Sequence, residues 1–149
     1  MAKIEGEMRQ YLEKVGHGEE VTMYKFKTSI HGEDCHYPGE LISGAKMMEK
    51  CIDCCTELSS IRDEDPGLWV DVHASCLAMA HMLDTFEIIV WVKKVGNSSR
   101  LYGFEMYKTS EFDLPTNHSE IFDEPVLAMK GEVTFVIGSF YFLNVMVDI

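Results

Sequence analysis

The stretch from Leu41 to Leu58 predicts a helix that is apolar around most of its circumference. A first stripe of apolar residues recurs at steps of three and four, the spacing of one helical face: Leu41, Ala45, Met48, Ile52 and Cys55. A second set widens that stripe: Ile42, Met47, Cys51, Cys54 and Leu58. A helix of this kind needs protein on several sides, so the rest of the chain must supply a layer that wraps it.

The remaining face of this helix is charged. Glu49, Asp53 and Glu57 recur at steps of four, and Lys46 and Lys50 lie between them. Such a pattern is typical of a solvated helix face. If a sheet and a partner subunit enclose the helix, however, Asp53 or Glu57 becomes a carboxylate that faces the pocket, and Asp53 is a candidate catalytic residue.

The wrapping layer is predicted to be an antiparallel sheet. Segments rich in β-branched and aromatic residues predict five strands: 21–30, 68–77, 86–94, 101–109 and 126–137. The order is one strand, one long helix and then four strands, which predicts an α+β fold with a single central helix. The polar segment 110–124, with Pro115 and Asn117, is predicted to be a long loop with a function of its own, such as a lid.

The 149 residues fit a single domain, 1–149, with residues 1–20 as a polar N-terminal extension and 138–149 as an apolar C-terminal tail. A short helix is predicted near residues 7–15. No apolar run has the length of a membrane span and the first residues are highly charged, which predicts a soluble, cytoplasmic protein without a membrane partner. A formal net charge of −12 argues against a nucleic-acid partner.

The five cysteines predict buried thiols in a reducing compartment. Cys51, Cys54 and Cys55 lie on the apolar helix among hydrophobic neighbours. Cys51 and Cys54 have no second pair at ligand spacing, and a structural zinc site needs four ligands. We therefore expect no metal and no permanently bound cofactor.

Ionisable and aromatic side chains crowd the loop that leads into the helix: Asp34, His36, Tyr37 and Glu40. Pro38 and Gly39 predict a turn among them. The start of the helix offers uncommitted N–H groups and the positive end of the dipole, which suits a developing oxyanion on an acyl substrate. Gly39, Leu41 and Ile42 are the predicted oxyanion and acyl-binding positions. An ordinary surface loop that caps the helix is the alternative interpretation.

These segments resemble the β-aminoacyl-CoA ammonia lyases, the family of 3-aminobutyryl-CoA and β-alanyl-CoA deaminating enzymes. The resemblance begins with Asp34-x-His36-Tyr37-x-Gly39-x-Leu41, then Gly44-Ala45-Lys46 and Asp53-x-x-Thr56-Glu57-Leu58. It continues with Val95-Gly96-Asn97-x-Ser99, Phe104-Glu105-x-Tyr107-Lys108 and Asp123-Glu124-Pro125-Val126-Leu127. Together the matches cover about residues 22–137, and they imply a hotdog fold, in which an antiparallel sheet wraps one central helix.

The resemblance implies reversible elimination of ammonia from a short 3-aminoacyl-CoA, with coenzyme A as part of the substrate. Asp34, Glu40 or Asp53 would serve as the base, with His36 or Tyr37 orienting it or protonating the amine. The predicted coenzyme A contacts lie in one turn and its flanks: Lys94, Gly96, Asn97, Ser98, Ser99 and Arg100. Fold relatives also imply a homodimer at least.

Two alternatives to the lyase stay open from the sequence. Thioester hydrolysis would use the same oxyanion site but direct water at the carbonyl. A non-catalytic acyl-CoA-binding dimer is favoured by departures from the family pattern. The turn 78–84 lacks the Pro and the Gly of Ala-Pro-x-x-x-Gly-Asp, the segment around Ser75 lacks a carboxylate, and Glu40 stands where relatives tend to have Asn.

Overall fold

The structure is a computed structural model that describes residues 16–37, 39 and 41–138. The predicted N-terminal helix and most of the apolar tail lie outside these residues. The described strands are β1 (Met23–Ser29), β2 (Cys35–Tyr37), β3 (Leu41–Ile42), β4 (Leu68–Cys76), β5 (Ala80–His81), β6 (Thr85–Val95), β7 (Ser99–Asp113) and β8 (His118–Val136). The helix is α1 (Gly44–Asp63). No described helix is long and apolar enough to cross a membrane.

The five longer strands form one antiparallel sheet in the order β1-β6-β7-β8-β4, and α1 packs across it. The predicted order of one strand, a long helix and four strands is confirmed. Helix and sheet bury a shared core that includes Met47, Cys51, Cys55, Leu58, Phe86, Ile88, Val90, Phe104, Met106 and Val133. The three helix cysteines are buried, as predicted, because they lie on the stripe that faces the sheet.

A second, three-stranded sheet in the order β2-β3-β5 was not predicted from the sequence. Its strands have two or three residues each, too few to show a period of two. Cys35 pairs with Ile42, and Leu41 pairs with His81. This small sheet folds the loop ahead of the helix back against the residues that lead into α1.

The predicted loop over residues 110–124 is wrong. β7 continues to Asp113 and β8 begins at His118, so only a four-residue turn, 114–117, separates them. Asn117 takes the left-handed conformation, with φ of 52°. The hairpin was missed because both faces of this part of the ribbon are mostly exposed, which leaves its sequence without the alternation of a half-buried strand.

The turn before β6 lacks the Pro and Gly of the family pattern and is held by hydrogen bonds to Ile30 and Asp84. Leu83 stands where the family pattern has Gly, and it adopts φ of 66°. The Leu83 N–H donates to the Ile30 carbonyl at 2.7 Å, and the Ile30 N–H donates to the Asp84 carbonyl at 3.1 Å. The buried Asp84 carboxylate also accepts hydrogen bonds from the backbone N–H groups of His81 (2.8 Å) and Phe112 (3.0 Å).

The two edges of the main sheet differ in character. Edge strand β1 carries Lys25 and Lys27, the kind of charge that prevents pairing with another chain. Edge strand β4 has no lysine and exposes Leu68, Trp69 and Val70. The edge of β4 is therefore the one suited to pairing with a second sheet.

Candidate active site

The start of α1 has a serine N-cap and backbone N–H groups that lie outside the helical hydrogen-bond ladder. Ser43 is in an extended conformation, and its Oγ accepts a hydrogen bond from the Lys46 N–H at 3.1 Å. The first helical hydrogen bond runs from the Met47 N–H to the Ser43 carbonyl, also at 3.1 Å. The amides of Gly44 and Ala45 thus precede the first helical hydrogen bond and lie at the positive end of the dipole.

Gly44 and Ala45 were not among the predicted oxyanion residues. Leu41 and Ile42, which were, lie in β3 between β2 and β5, so their peptide groups face neighbouring strands on both sides. The amides of Gly44 and Ala45, which precede the first helical hydrogen bond, lie just after β3. In the sequence, two small residues, Gly44 and Ala45, directly after a capping serine could have indicated these backbone N–H groups, because small side chains do not cover the amides.

The small sheet brings the predicted catalytic loop to this helix start. Asp34 ends a short 3₁₀ turn, Gly32–Asp34, and the following residues pair with β3, including Tyr37 with Leu41. For Asp34, His36 and Tyr37 the structure describes the backbone, and Glu40 lies outside the described residues. The catalytic roles assigned to these four residues stay predictions.

Asp53 and Glu57 lie further along α1, on the side that faces β1. They border a cavity of about 220 Å³ whose walls include Phe26, Thr28 and Cys54. Loss of surrounding water raises the pKa of Asp53, and the neighbouring Glu49 carboxylate adds to this effect. Loss of water likewise raises the pKa of Glu57, while a hydrogen bond from Tyr24 opposes the rise.

Asp53 is not next to the helix start within one protomer. It lies nine positions after Gly44, which corresponds to about 14 Å along the axis at 1.5 Å per residue. A substrate held at the Gly44 and Ala45 amides would have to extend along the helix to reach it. The assignment of Asp53 as the base therefore stays a prediction.

The predicted coenzyme A turn packs against the other end of α1. Arg100 Nε lies 3.1 Å from Asp63 Oδ2, and its Nη1 donates to the carbonyls of Gly96 and Ser99 at 2.9 and 2.8 Å. Arg100 thus anchors the turn to the helix C-terminus. Lys94, Asn97 and Ser98 are exposed and remain available to a ligand.

The two predicted halves of the site do not meet within one protomer. The catalytic loop lies at the start of α1, and the coenzyme A turn lies at its end. A helix of 20 residues spans about 30 Å.

The described residues contain no group of three or more His, Cys, Asp or Glu side chains that could hold a metal ion. Burial raises the pKa of Cys54 to about 12, with nearby Glu57 and Asp53 adding to the rise. Burial also raises the pKa values of Cys51 and Cys55. These thiols are therefore uncharged at neutral pH and belong to the core.

The chain is similar in sequence and in fold to proteins that act on acyl-CoA substrates. No family model matches the chain. It is 28% identical over 119 residues to the 3-aminobutyryl-CoA ammonia lyase of Acetoanaerobium sticklandii, a match that covers 78% of this chain and 93% of the relative. The solved β-alanyl-CoA:ammonia lyase from Clostridium propionicum superposes with a TM-score of 0.74 at 26% identity, over 79% of this chain and 86% of that one.

More distant structures share the fold alone. An acyl-CoA hydrolase from Staphylococcus aureus, solved with butyryl coenzyme A, coenzyme A and coenzyme A disulfide, has a TM-score of 0.62 at 13% identity. The match covers 80% of this chain and 68% of the hydrolase. A central helix wrapped by an antiparallel sheet, with a polar loop at the helix start, makes this chain a hotdog-fold protein. Among hotdog proteins it resembles the 3-aminobutyryl-CoA and β-alanyl-CoA ammonia lyases, at 28% and 26% identity.

Proposed function

We propose that this protein catalyses the reversible elimination of ammonia from a short 3-aminoacyl-CoA to give the enoyl-CoA. The observation that carries the proposal is the pairing of the Asp34–Tyr37 segment with β3, directly ahead of the open amides of α1. This pairing supports the proposal because it brings the backbone of the predicted catalytic loop to the start of the helix. The relatives named as ammonia lyases at 28% and 26% identity support the same reaction.

The proposed reaction has three parts. A carboxylate removes the proton from the carbon next to the thioester, and the amides of Gly44 and Ala45 stabilise the negative charge that moves onto the thioester oxygen. The electrons then return to form the carbon–carbon double bond. The bond between carbon and nitrogen breaks, and its electron pair leaves with ammonia.

Asp34 is the preferred base, because its backbone lies in the loop that β2 and β3 hold at the helix start. His36 and Tyr37 are the groups proposed to orient it or to protonate the amine. Glu40 and Asp53 are the other candidate bases. The abundance of carboxylates favours a substrate that carries an ammonium group over a plain fatty acyl group, because opposite charges attract.

A homodimer would complete the site. The edge of β4 exposes Leu68, Trp69 and Val70 beside the pair Asp71 and His73, and it is suited to antiparallel pairing with β4 of a second copy, around a two-fold axis near Val72. In such a pairing the strands and the helix of one protomer point in the opposite direction to those of the other. This pairing brings the partner's coenzyme A turn, with the partner's Lys94, toward the helix start of the first protomer, so that each site uses both subunits.

A substrate panel tests the reaction. We would offer β-alanyl-CoA, 3-aminobutyryl-CoA and simple acyl-CoAs, and measure ammonia and free thiol in the same samples. Ammonia release without thiol, and ammonia addition to the enoyl-CoA, would support the lyase. Stoichiometric thiol release without ammonia would replace it with hydrolysis, and no turnover with retained coenzyme A binding would indicate a binding protein.

The matched pair Asp34→Asn and Glu33→Gln then tests the loop. Both substitutions remove one carboxylate from the same short segment, but only Asp34 belongs to the family motif. Loss of a general base lowers kcat by about a hundredfold or more. We therefore expect that loss for Asp34→Asn, and near-normal turnover for Glu33→Gln. Equal turnover in both variants would move the base to Glu40 or Asp53.

A further inference from the structure

A concavity of about 950 Å³ lies on the face of the main sheet that points away from α1. Phe86, Ile88 and Val90 of β6 are buried toward the helix, so Ile89 and Trp91 point to the opposite face. The side chains around this opening, which we call the outer concavity, include Trp91, Lys93, Glu105, Lys130, Glu132 and Ser75. Its volume is in the range of small-molecule sites, and the reaction proposed at the helix start does not use it.

Trp91 provides a flat aromatic surface in the outer concavity. It lies directly opposite Gly103 of β7, and a Cβ atom on Gly103 would be 2.5 Å from Cε2 and 2.6 Å from Cζ2 of the indole. The ring therefore occupies the space that any other side chain at position 103 would fill. One ring face covers the backbone of β7, and the other is left for a planar group. Stacking on an aromatic side chain is a common way for proteins to bind a nucleic base.

The charged side chains of the outer concavity leave one ammonium group without an ion pair. Glu132 is paired with Lys93 at 2.8 Å, and the hydrogen bond from Lys93 lowers the pKa of Glu132. Glu105 lies opposite Lys130 across the strands, but it accepts a hydrogen bond from Tyr107. Within the part of the chain that the structure describes, the exposed Lys130 forms no ion pair. Its charge is therefore available to an anionic group of a ligand.

The outer concavity borders the predicted coenzyme A turn. Lys93 lines it and lies two residues after Trp91, about 7 Å along the strand. β6 ends at Val95, and residues 96–98 then lead into β7. The nucleotide end of coenzyme A is an adenosine with a pyrophosphate on its 5′ oxygen and a phosphate on its 3′ oxygen. With the pyrophosphate at the turn, the adenosine lies within reach of the outer concavity.

Lys130 and Trp91 are spaced to contact two parts of one nucleotide. They lie on β8 and β6, two strands and about 10 Å apart, a separation that a ribose phosphate and an extended lysine side chain can cover together. We propose that the outer concavity binds the adenosine end of coenzyme A, with the adenine ring stacked on Trp91 and the 3′-phosphate at the Lys130 ammonium. This inference rests on the proposed function, which supplies coenzyme A as part of the substrate.

Tryptophan fluorescence tests the stacking directly, because the chain has only two tryptophans, Trp69 and Trp91. Adenosine 3′,5′-bisphosphate carries the base and the 3′-phosphate without the pantetheine arm. We expect it to quench the fluorescence of Trp69→Phe, in which Trp91 is the remaining indole, in a saturable manner. The matched variant Trp91→Phe, in which Trp69 remains, should show no such quenching. Pantetheine, which has no base, should quench neither variant.

Coenzyme A affinity gives a second measurement of the same contact. Loss of a stacking side chain weakens base binding by about tenfold or more, so Trp91→Ala should raise the Kd for coenzyme A by that factor in calorimetric titration. Trp91→Phe keeps an aromatic ring and should retain most of the affinity. Ile89→Ala is the matched control, because Ile89 lies two residues away on the same strand and face and does not line the outer concavity. Its affinity should equal that of the parent.

The phosphate contact is tested with coenzyme A and dephospho-coenzyme A, which differ only in the 3′-phosphate. Lys130→Ala should weaken binding of coenzyme A and leave that of dephospho-coenzyme A unchanged. Lys25→Ala is the control, because Lys25 lies opposite Ile89 on the same face but on the edge strand β1. That substitution should change neither affinity.

Three results would overturn the inference: unchanged coenzyme A affinity in Trp91→Ala, quenching that persists in Trp91→Phe, or an equal loss of both ligands in Lys130→Ala. A change in Trp91 fluorescence that follows protein concentration and not nucleotide would also overturn it, and would assign this face to a second copy of the chain. Ammonia release reports separately on the reaction. Nucleotide binding at Trp91 without ammonia release would contradict the lyase and leave this site standing.

Discussion

The Lys108 ammonium lies 3.0 Å from the Asp84 carboxylate, and both side chains are almost fully buried. This pair joins the turn before β6 to the middle of β7. The same carboxylate accepts a hydrogen bond from the Phe112 N–H near the tip of the β7–β8 hairpin, so one buried charge links the turn, the sheet and the end of that hairpin.

Replacing Lys108 while Asp84 is kept should destabilise the protein strongly. Lys108→Met leaves the Asp84 charge buried without its counter-ion, and we expect the free energy of unfolding to fall by about 3 kcal/mol or more in urea denaturation. Lys93→Met is the matched control, because Lys93 pairs with Glu132 at 2.8 Å on the exposed face of the sheet. That substitution should barely change the denaturation midpoint. Equal effects would mean that burial does not distinguish the two pairs.

The positive φ of Leu83 should make glycine preferable to alanine at that position. Leu83→Gly and Leu83→Ala both remove the exposed isobutyl group, but only glycine adopts φ of 66° without a steric penalty. We expect the glycine variant to be more stable than the alanine variant by about 1 kcal/mol in thermal or urea unfolding. At Leu114, which is exposed and outside the positive-φ region, the order should reverse. A more stable Leu83→Ala would contradict the conformation of this turn.

The raised pKa of Asp53 should make stability depend on pH. A carboxyl group whose pKa is higher in the folded than in the unfolded protein binds its proton more tightly when folded. Its favourable contribution is complete below its unfolded pKa and is lost as the pH rises through the folded pKa. Asp53→Asn should therefore be more stable than the parent at pH 7, and this difference should vanish at acidic pH. Denaturation curves across that range provide the measurement, and a pH-independent difference would be the contrary result.

Two substitutions in the predicted coenzyme A turn should distinguish an effect on coenzyme A binding from an effect on the stability of the fold. Lys94 is exposed, so Lys94→Ala should weaken coenzyme A binding, with a loss that shrinks at high salt, while stability stays the same. Arg100→Ala removes the ion pair with Asp63 and two bonds to the turn, so it should lower stability as well. Calorimetric titration with coenzyme A and urea denaturation would measure the two properties. Unchanged affinity in Lys94→Ala would place the nucleotide elsewhere.

The two edge strands should respond differently to an added charge. Val70 on β4 and Met23 on β1 are both apolar and about half exposed, at 54% and 52%. Val70→Lys places a charge on the edge proposed to pair and should shift the protein toward monomer in light scattering. Met23→Lys adds a third lysine to an edge that already has two, and should leave the mass unchanged. A dimer that survives Val70→Lys but not Met23→Lys would assign the interface to β1.

Much of the architecture was predictable because its signals are local. The apolar circumference of α1 and the β-rich segments 86–94 and 101–109 show their periods within a few residues, and the structure confirms them. The family motifs likewise indicated the loop and the helix start. The two-residue strand β3 could not be predicted, because its assignment depends on pairing with His81, about 40 positions away.

The sequence by itself determined the helix, the longer strands around it and the buried cysteines of the helix, since each depends on residue types within a short window. Only the tertiary structure decided which amides stay open at the helix start, that Arg100 is held by Asp63, and that Asp84 and Lys108 share a buried site. It also decided that the loop and the coenzyme A turn lie at opposite ends of α1. These relationships join residues far apart in the chain, and their energies depend on burial, which exists only once the sheet has closed around the helix.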